Sequence, residues 1–131
     1  MELILYNKNF DGFEAKIRGV IESLVSKDKT AIFRSIENMI ERIMHLTYNP
    51  EIAILMIKRK EEFLQLYSSL NVLCRAEMFI ILTGRNPKTI MLGYKLKPQF
   101  STYLHNDFCV IRTVLKKMLV SLFPPEKLNE T

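Results

Sequence analysis

A chain of 131 residues with 48% apolar and 25% charged residues has the size and balance of one globular domain, which excludes disorder and fibrous repeats. Lys and Arg number 19 against 14 Asp and Glu, a net charge of +5, and only two cysteines are present, so neither a disulfide scaffold nor an acidic tail is expected. The most apolar stretch, Val72 to Leu82, holds Arg75 and Glu77 and is about half the length a bilayer requires.

In chain order, residues 1–8 read as an N-terminal arm, either extended or the fraying start of a helix. Met1 to Tyr6 is too short for a secretory leader, so an intracellular setting, cytoplasm or nucleus, is expected, with Cys74 and Cys109 reduced and buried. Asn9 or Asp11 can cap a first helix, in which Phe13, Ile17, Val20, Ile21 and Leu24 follow helical spacing. Ser26-Lys27-Asp28 breaks that pattern. A second helix then carries Ile32, Phe33, Ile36, Met39, Ile40, Ile43 and Met44 on one broad face.

Asn49-Pro50 punctuates the chain and opens a third helix. Its unbroken run Ile52 to Ile57 is expected to be buried on most sides, and Lys58-Arg59-Lys60-Glu61-Glu62 to be exposed. A fourth, central core helix is expected over Val72 to Thr83, closed by Gly84 and kept closed by Pro87. Residues 84–98 read as a basic loop with one short helical turn near Thr89 to Leu92. In the last helix Leu104, Phe108, Ile111, Leu115, Met118 and Leu122 alternate steps of four and three, and Pro124-Pro125 ends it before a polar tail, 124–131. Strand signals are confined to 2–6 and 90–96. The expected class is therefore all-α: a compact single-domain bundle of about five helices spanning residues 1–131, with a basic loop before the last helix.

No nucleophile elbow, phosphate-binding loop, dinucleotide fingerprint or zinc-protease motif occurs, and an enzyme is not expected. The two histidines, His45 and His105, have no second ligand at metal spacing, so no metal and no cofactor is called for. Glu61 and Glu62 are adjacent and diverge on a helix. His105 and Cys109 stand at i,i+4 without an orienting third group or an oxyanion site. Gly84-Arg85-Asn86-Pro87-Lys88-Thr89 has the flexible backbone and cations of a phosphate-holding turn, and equally those of a helix stop.

The charge is unevenly spread. Residues 1–83 hold eleven Lys/Arg and eleven Asp/Glu, whereas residues 84–120 hold Arg85, Lys88, Lys95, Lys97, Arg112, Lys116 and Lys117 against Asp107 alone. Those seven cations are the candidate binding residues for an acidic partner, with Tyr94, Phe100 and Tyr103 interleaved to stack on bases or to pack the loop. The surplus of apolar helix faces points first to a non-enzymatic helical interaction module that binds a protein partner, itself included as a homo-oligomer. The general appearance resembles small helical modules of viral origin, and the Ile-, Lys-, Met- and Asn-rich composition fits an AT-rich genome. The alternative is a nucleic-acid-binding protein using the basic surface of residues 84–117.

Overall fold

The computed structural model describes residues 3–10, 12–25, 29–45, 52–73, 76–82, 91, 95, 100–103 and 108–122. They form an α/β domain, not a helical bundle. The elements in chain order are β1 (Leu3–Asn7), α1 (Gly12–Glu22), β2 (Thr30–Phe33), α2 (Ile36–His45), β3 (Ile52–Ile57), α3 (Lys60–Ser68), the short α4 (Leu70–Leu73), β4 (Glu77–Leu82), β5 (Phe100–Tyr103) and α5 (Phe108–Leu122). The strands make one five-stranded sheet in the order β2-β1-β3-β4-β5, and every neighbouring pair is parallel.

The apolar runs explain the architecture. A parallel sheet covered by helices on both faces buries every residue of its central strands, so those strands read as continuous Ile/Leu/Val runs without alternation. β1 and β3 are buried along their whole length, and β4 from its second residue onward. Side chains still alternate between faces. Ile4, Tyr6, Ala53, Leu55, Ile57, Met78, Ile80 and Leu82 pack against Ile36, Met39, Ile40 and Ile43 of α2, Phe63 and Leu66 of α3, and Leu73 of α4. Leu3, Leu5, Ile52, Ile54, Met56, Phe79 and Ile81 pack on the opposite side against Ile17 and Ile21 of α1 and Ile111, Leu115 and Met118 of α5. The register places Leu5 beside Ile54 and Ile54 beside Phe79, one apolar row across the middle of the sheet.

This arrangement corrects the all-α expectation element by element. The presumed arm is the strand β1, paired on both sides. The presumed second helix divides into the edge strand β2 and the helix α2, with Ser35 between them accepting the Asn38 N–H at 3.3 Å as an N-cap. Ile52 to Ile57 is β3 rather than a helix, and the presumed fourth helix is the single turn α4 followed by β4. In a window of six apolar residues a buried strand and a buried helix look alike. Here the parallel pairing of the three buried runs β1, β3 and β4, with amphipathic helices on both faces, settles the matter in favour of the sheet. Of the expected basic loop, only Met91 and Lys95 are described, both helical. Thr83, Gly84, Pro87, Cys74 and His105 lie outside the described residues, as does the Cys109 side chain.

Ile54, fully buried in the central row, sets the first expectation. Ile54→Ala should lower the unfolding free energy by about 2–5 kcal/mol in urea titration, from lost burial and the cavity left behind. Val110→Ala, on the exposed side of α5, should change it by less than about 0.5 kcal/mol. Equal effects would contradict the two-faced core.

Candidate functional site

The strand order reverses direction between β1 and β3: from β1 the chain steps outward to β2, then crosses back to β3. In open parallel α/β sheets the loops on either side of such a reversal run to opposite faces, leaving a crevice at the carboxyl ends of the strands. The residues found there are Tyr6 and Asn7 at the end of β1, Lys8 just beyond it, Arg34 and Ser35 after β2, and Lys58 and Arg59 after β3. A cavity of about 370 Å³ opens among them, lined by Tyr6, Lys8, Arg34, Ser35, Arg59 and Glu62 among others.

Two buried carboxylates organise this crevice. Glu14, in the first turn of α1, is 0% exposed. The Arg34 guanidinium grips both of its oxygens, one arm reaching Oε1 and the other Oε2 at 2.8 Å. Asn7 Nδ2 donates to Glu14 Oε1 at 2.8 Å and to the Asn9 carbonyl at 2.8 Å. Arg34 also donates to the Asn7 carbonyl at 3.1 Å, so one side chain ties the ends of β2 and β1 to the start of α1. The outer face of Arg34 lies 5.8 Å from the centroid of the exposed Phe10 ring. Burial alone raises the carboxyl pKa of Glu14. The hydrogen bonds from Arg34 and Asn7 and the charge of Arg34 outweigh it and hold the group below its ordinary value.

Glu62, at the third position of α3, is only 6% exposed. Its Oε1 accepts the backbone N–H groups of Lys58 and Arg59 at 3.2 and 3.1 Å. This is one half of a capping box; the other half needs an acceptor on the N-cap residue, and an arginine has none. Its Oε2 accepts the Tyr6 hydroxyl at 2.7 Å. Burial, and next the bond to Glu62 and its negative charge, push the Tyr6 phenol well above its ordinary pKa. Lys58, Arg59 and Lys60 are exposed, and Arg59 lines the same crevice.

None of these crevice residues was singled out by sequence reasoning as a binding residue. The signal was an apolar run followed at once by polar residues and an amphipathic helix, at Leu3 to Glu22 and again at Ile52 to Ser68. Arg112, Lys116 and Lys117 are exposed on α5, Lys95 is exposed, and Arg85, Lys88 and Lys97 lie outside the described residues. His45 is the exposed last residue of α2. Among the described residues, no three His, Cys, Asp or Glu side chains cluster closely enough to hold a metal ion, and no helix is long and apolar enough to cross a membrane.

Because the Glu14 pKa is lowered on folding, the stability it contributes is present above the unfolded-state value and is lost as pH falls through the folded-state value. Arg34→Met should cost roughly 1–3 kcal/mol, less than for a fully buried pair because the Arg34 side chain is 42% exposed. It should also move the acid-side loss of stability to higher pH. Adding Glu14→Gln should recover part of the cost. Urea titrations across the acid range check all three, and an unshifted acid limb in Arg34→Met would remove the pairing from the account.

No protein-family model and no curated protein sequence matches the chain. Solved structures do match. A response regulator receiver protein from Dyadobacter fermentans is 13% identical, with 91% of this chain and 98% of that one covered and a TM-score of 0.63. The phosphorylated cyanobacterial phytochrome response regulator RcpA is 15% identical, with 95% and 94% covered and a TM-score of 0.65. A protein described as pilus assembly-related from Burkholderia pseudomallei is 9% identical, with 90% and 88% covered and a TM-score of 0.64. These likenesses overturn the reading of the chain as a viral, self-associating helical interaction module, and equally the reading as a nucleic-acid-binding protein built on residues 84–117. At such identities what they establish is the fold: the chain has the parallel α/β fold of response-regulator receivers.

Proposed function

We propose that this chain is a receiver-type signalling module, a domain without catalysis of its own that passes on its state through contact with protein partners. Likeness to response-regulator receivers over nearly the whole chain supports the reading. So does a crevice at the topological reversal, where parallel α/β domains gather their functional groups. The setting this calls for is the cytoplasm; nothing supports a nuclear one.

One observation carries the finer part of the proposal: among the described residues, the two buried carboxylates at the crevice, Glu14 and Glu62, are already committed within the protein, while Glu37 and Glu61 on its lining are exposed. Accepting a phosphoryl group on a carboxylate requires an accessible oxygen nucleophile and cations to neutralise the incoming phosphate. Glu14 is closed off by a two-armed guanidinium contact and by Asn7. Glu62 has both oxygens engaged, one by two backbone N–H groups and one by a phenol. In place of an exchangeable anion the crevice holds built-in ones, each neutralised by its own chain. The module's state is then set by these internal pairs and changes when a partner displaces Arg34 or Tyr6, with no cofactor required.

Incubation with acetyl phosphate or phosphoramidate and magnesium, followed by intact-mass measurement, tests this. The mass should remain that of the unmodified chain. A hydroxylamine-sensitive phosphoryl adduct mapping to any Asp or Glu of the crevice, Glu14, Glu37, Glu61 and Glu62 included, or to Asp11, would overturn the internally paired crevice and make the chain a phosphoryl acceptor.

A further inference from the structure

A second cleft runs between α2 and α3, beside the crevice but apart from its hydrogen-bonded network. It has a volume of about 400 Å³, room for one or two large apolar side chains. Its apolar lining is Ile36, Ile40 and Met44, successive positions on one side of α2. Ile36 and Ile40 are buried, but Met44, at the far end, is 56% exposed, an unusual position for a large flexible apolar side chain. The opposite wall is polar: Gln65 and Ser68 of α3 and Ser69, its C-cap residue.

The charge on this cleft is one-sided. Its lining includes Glu37 and Glu41, no Lys or Arg, and one histidine, His45, a turn beyond Glu41, in a chain with 19 Lys and Arg against 14 acids. Glu37 and Glu41 stand at i,i+4 on the exposed side of α2, where like charges repel each other. Neither has a salt-bridge partner among the described residues. A cation brought by another molecule would relieve that repulsion, and an apolar side chain beside it would cover Met44.

We infer that the α2–α3 cleft is a docking site for a basic amphipathic segment of a partner protein, which seats an apolar residue against Ile40 and Met44 and sets a Lys or Arg one helical turn away between Glu37 and Glu41. The apolar anchor supplies affinity, and the paired glutamates select the charge of the partner. The docking site shares Ile36, Glu37 and Gln65 with the crevice lining, but none of Tyr6, Asn7, Glu14, Arg34 and Glu62 lines it.

The probes are two helix-forming peptides of about 15 residues, the length at which an isolated helix begins to hold. One carries Leu at i and i+4 flanked by Lys; the other has Glu at each Lys position. Titrated into the ¹⁵N-labelled full chain, the Lys peptide should shift amide resonances of α2 and of the C-terminal half of α3, and the Glu peptide should not. Met44→Asp and Glu41→Lys, each checked by circular dichroism to be folded, should each weaken binding by about tenfold or more. Equal binding of both peptides, shifts centred on α1 or α5, or no shifts with either peptide would overturn the proposal. A dimer seen in sedimentation and abolished by Met44→Asp would overturn the choice of occupant in favour of a second copy.

Discussion

Glu62 reaches back from the first turn of α3 to the end of β3, accepts two backbone N–H groups there, and with its second oxygen holds the Tyr6 hydroxyl at the end of β1. Few single side chains could tie together so much of this fold. β1 and β3 are the two strands between which the sheet reverses its winding, and their carboxyl ends would otherwise present open backbone groups to a crevice. A buried carboxylate is costly unless fully hydrogen-bonded, and this one is supplied with three donors. The negative charge also sits at the positive end of α3, where the helix dipole favours it. One residue therefore fixes the starting position of α3, the end of β3 and the orientation of Tyr6.

The Glu14–Arg34–Asn7 cluster repeats the logic on the other side of β1. There the carboxylate lies at the positive end of α1, and its partner cation comes from the end of β2. The two clusters are joined through consecutive residues, Tyr6 and Asn7, whose side chains face opposite sides of the strand, as neighbours on a strand must. A change at Arg34 can thus be felt at α1 and at β1, and a change at Tyr6 at α3. This is a physical basis for transmitting a state across the crevice without a phosphoryl group.

Much of the fold was legible in the residues, yet the class was misread. The amphipathic spacing of Phe13 to Leu24 and of Ile111 to Leu122 marks α1 and α5 because one side of each helix faces water. Ile52 to Ile57 carries no such contrast. Both of its faces are dry, so the alternation that identifies a half-exposed strand is erased, and a six-residue apolar run looks equally like the inside of a helix. Length and flanks were the better guide: six residues bounded by Asn49-Pro50 and Lys58-Arg59-Lys60 suit a strand and are short for a helix. The second helix was overextended for a similar reason. Ile32 and Phe33 are apolar at the right spacing to join Ile36, and only Ser35, a natural cap, marks the break. The crevice was hidden because Tyr6, Glu14, Arg34 and Glu62 are scattered over 56 positions and meet only when three strands lie side by side.

The two buried carboxylates at the crevice, Glu14 and Glu62, are engaged by the protein itself. Amide hydrogen exchange at Lys58 and Arg59 tests this engagement most directly. Arg59 is exposed and lies within neither a strand nor a helix, so without Glu62 its N–H group would exchange at a nearly unprotected rate. Both amides should be protected in the native chain, and protection at Arg59 should be lost in Glu62→Ala while the amides of β1, β3 and β4 remain slow. Unprotected exchange at Lys58 and Arg59 in the unaltered chain would mean that Glu62 does not close the end of β3, and that the crevice is open to an outside anion.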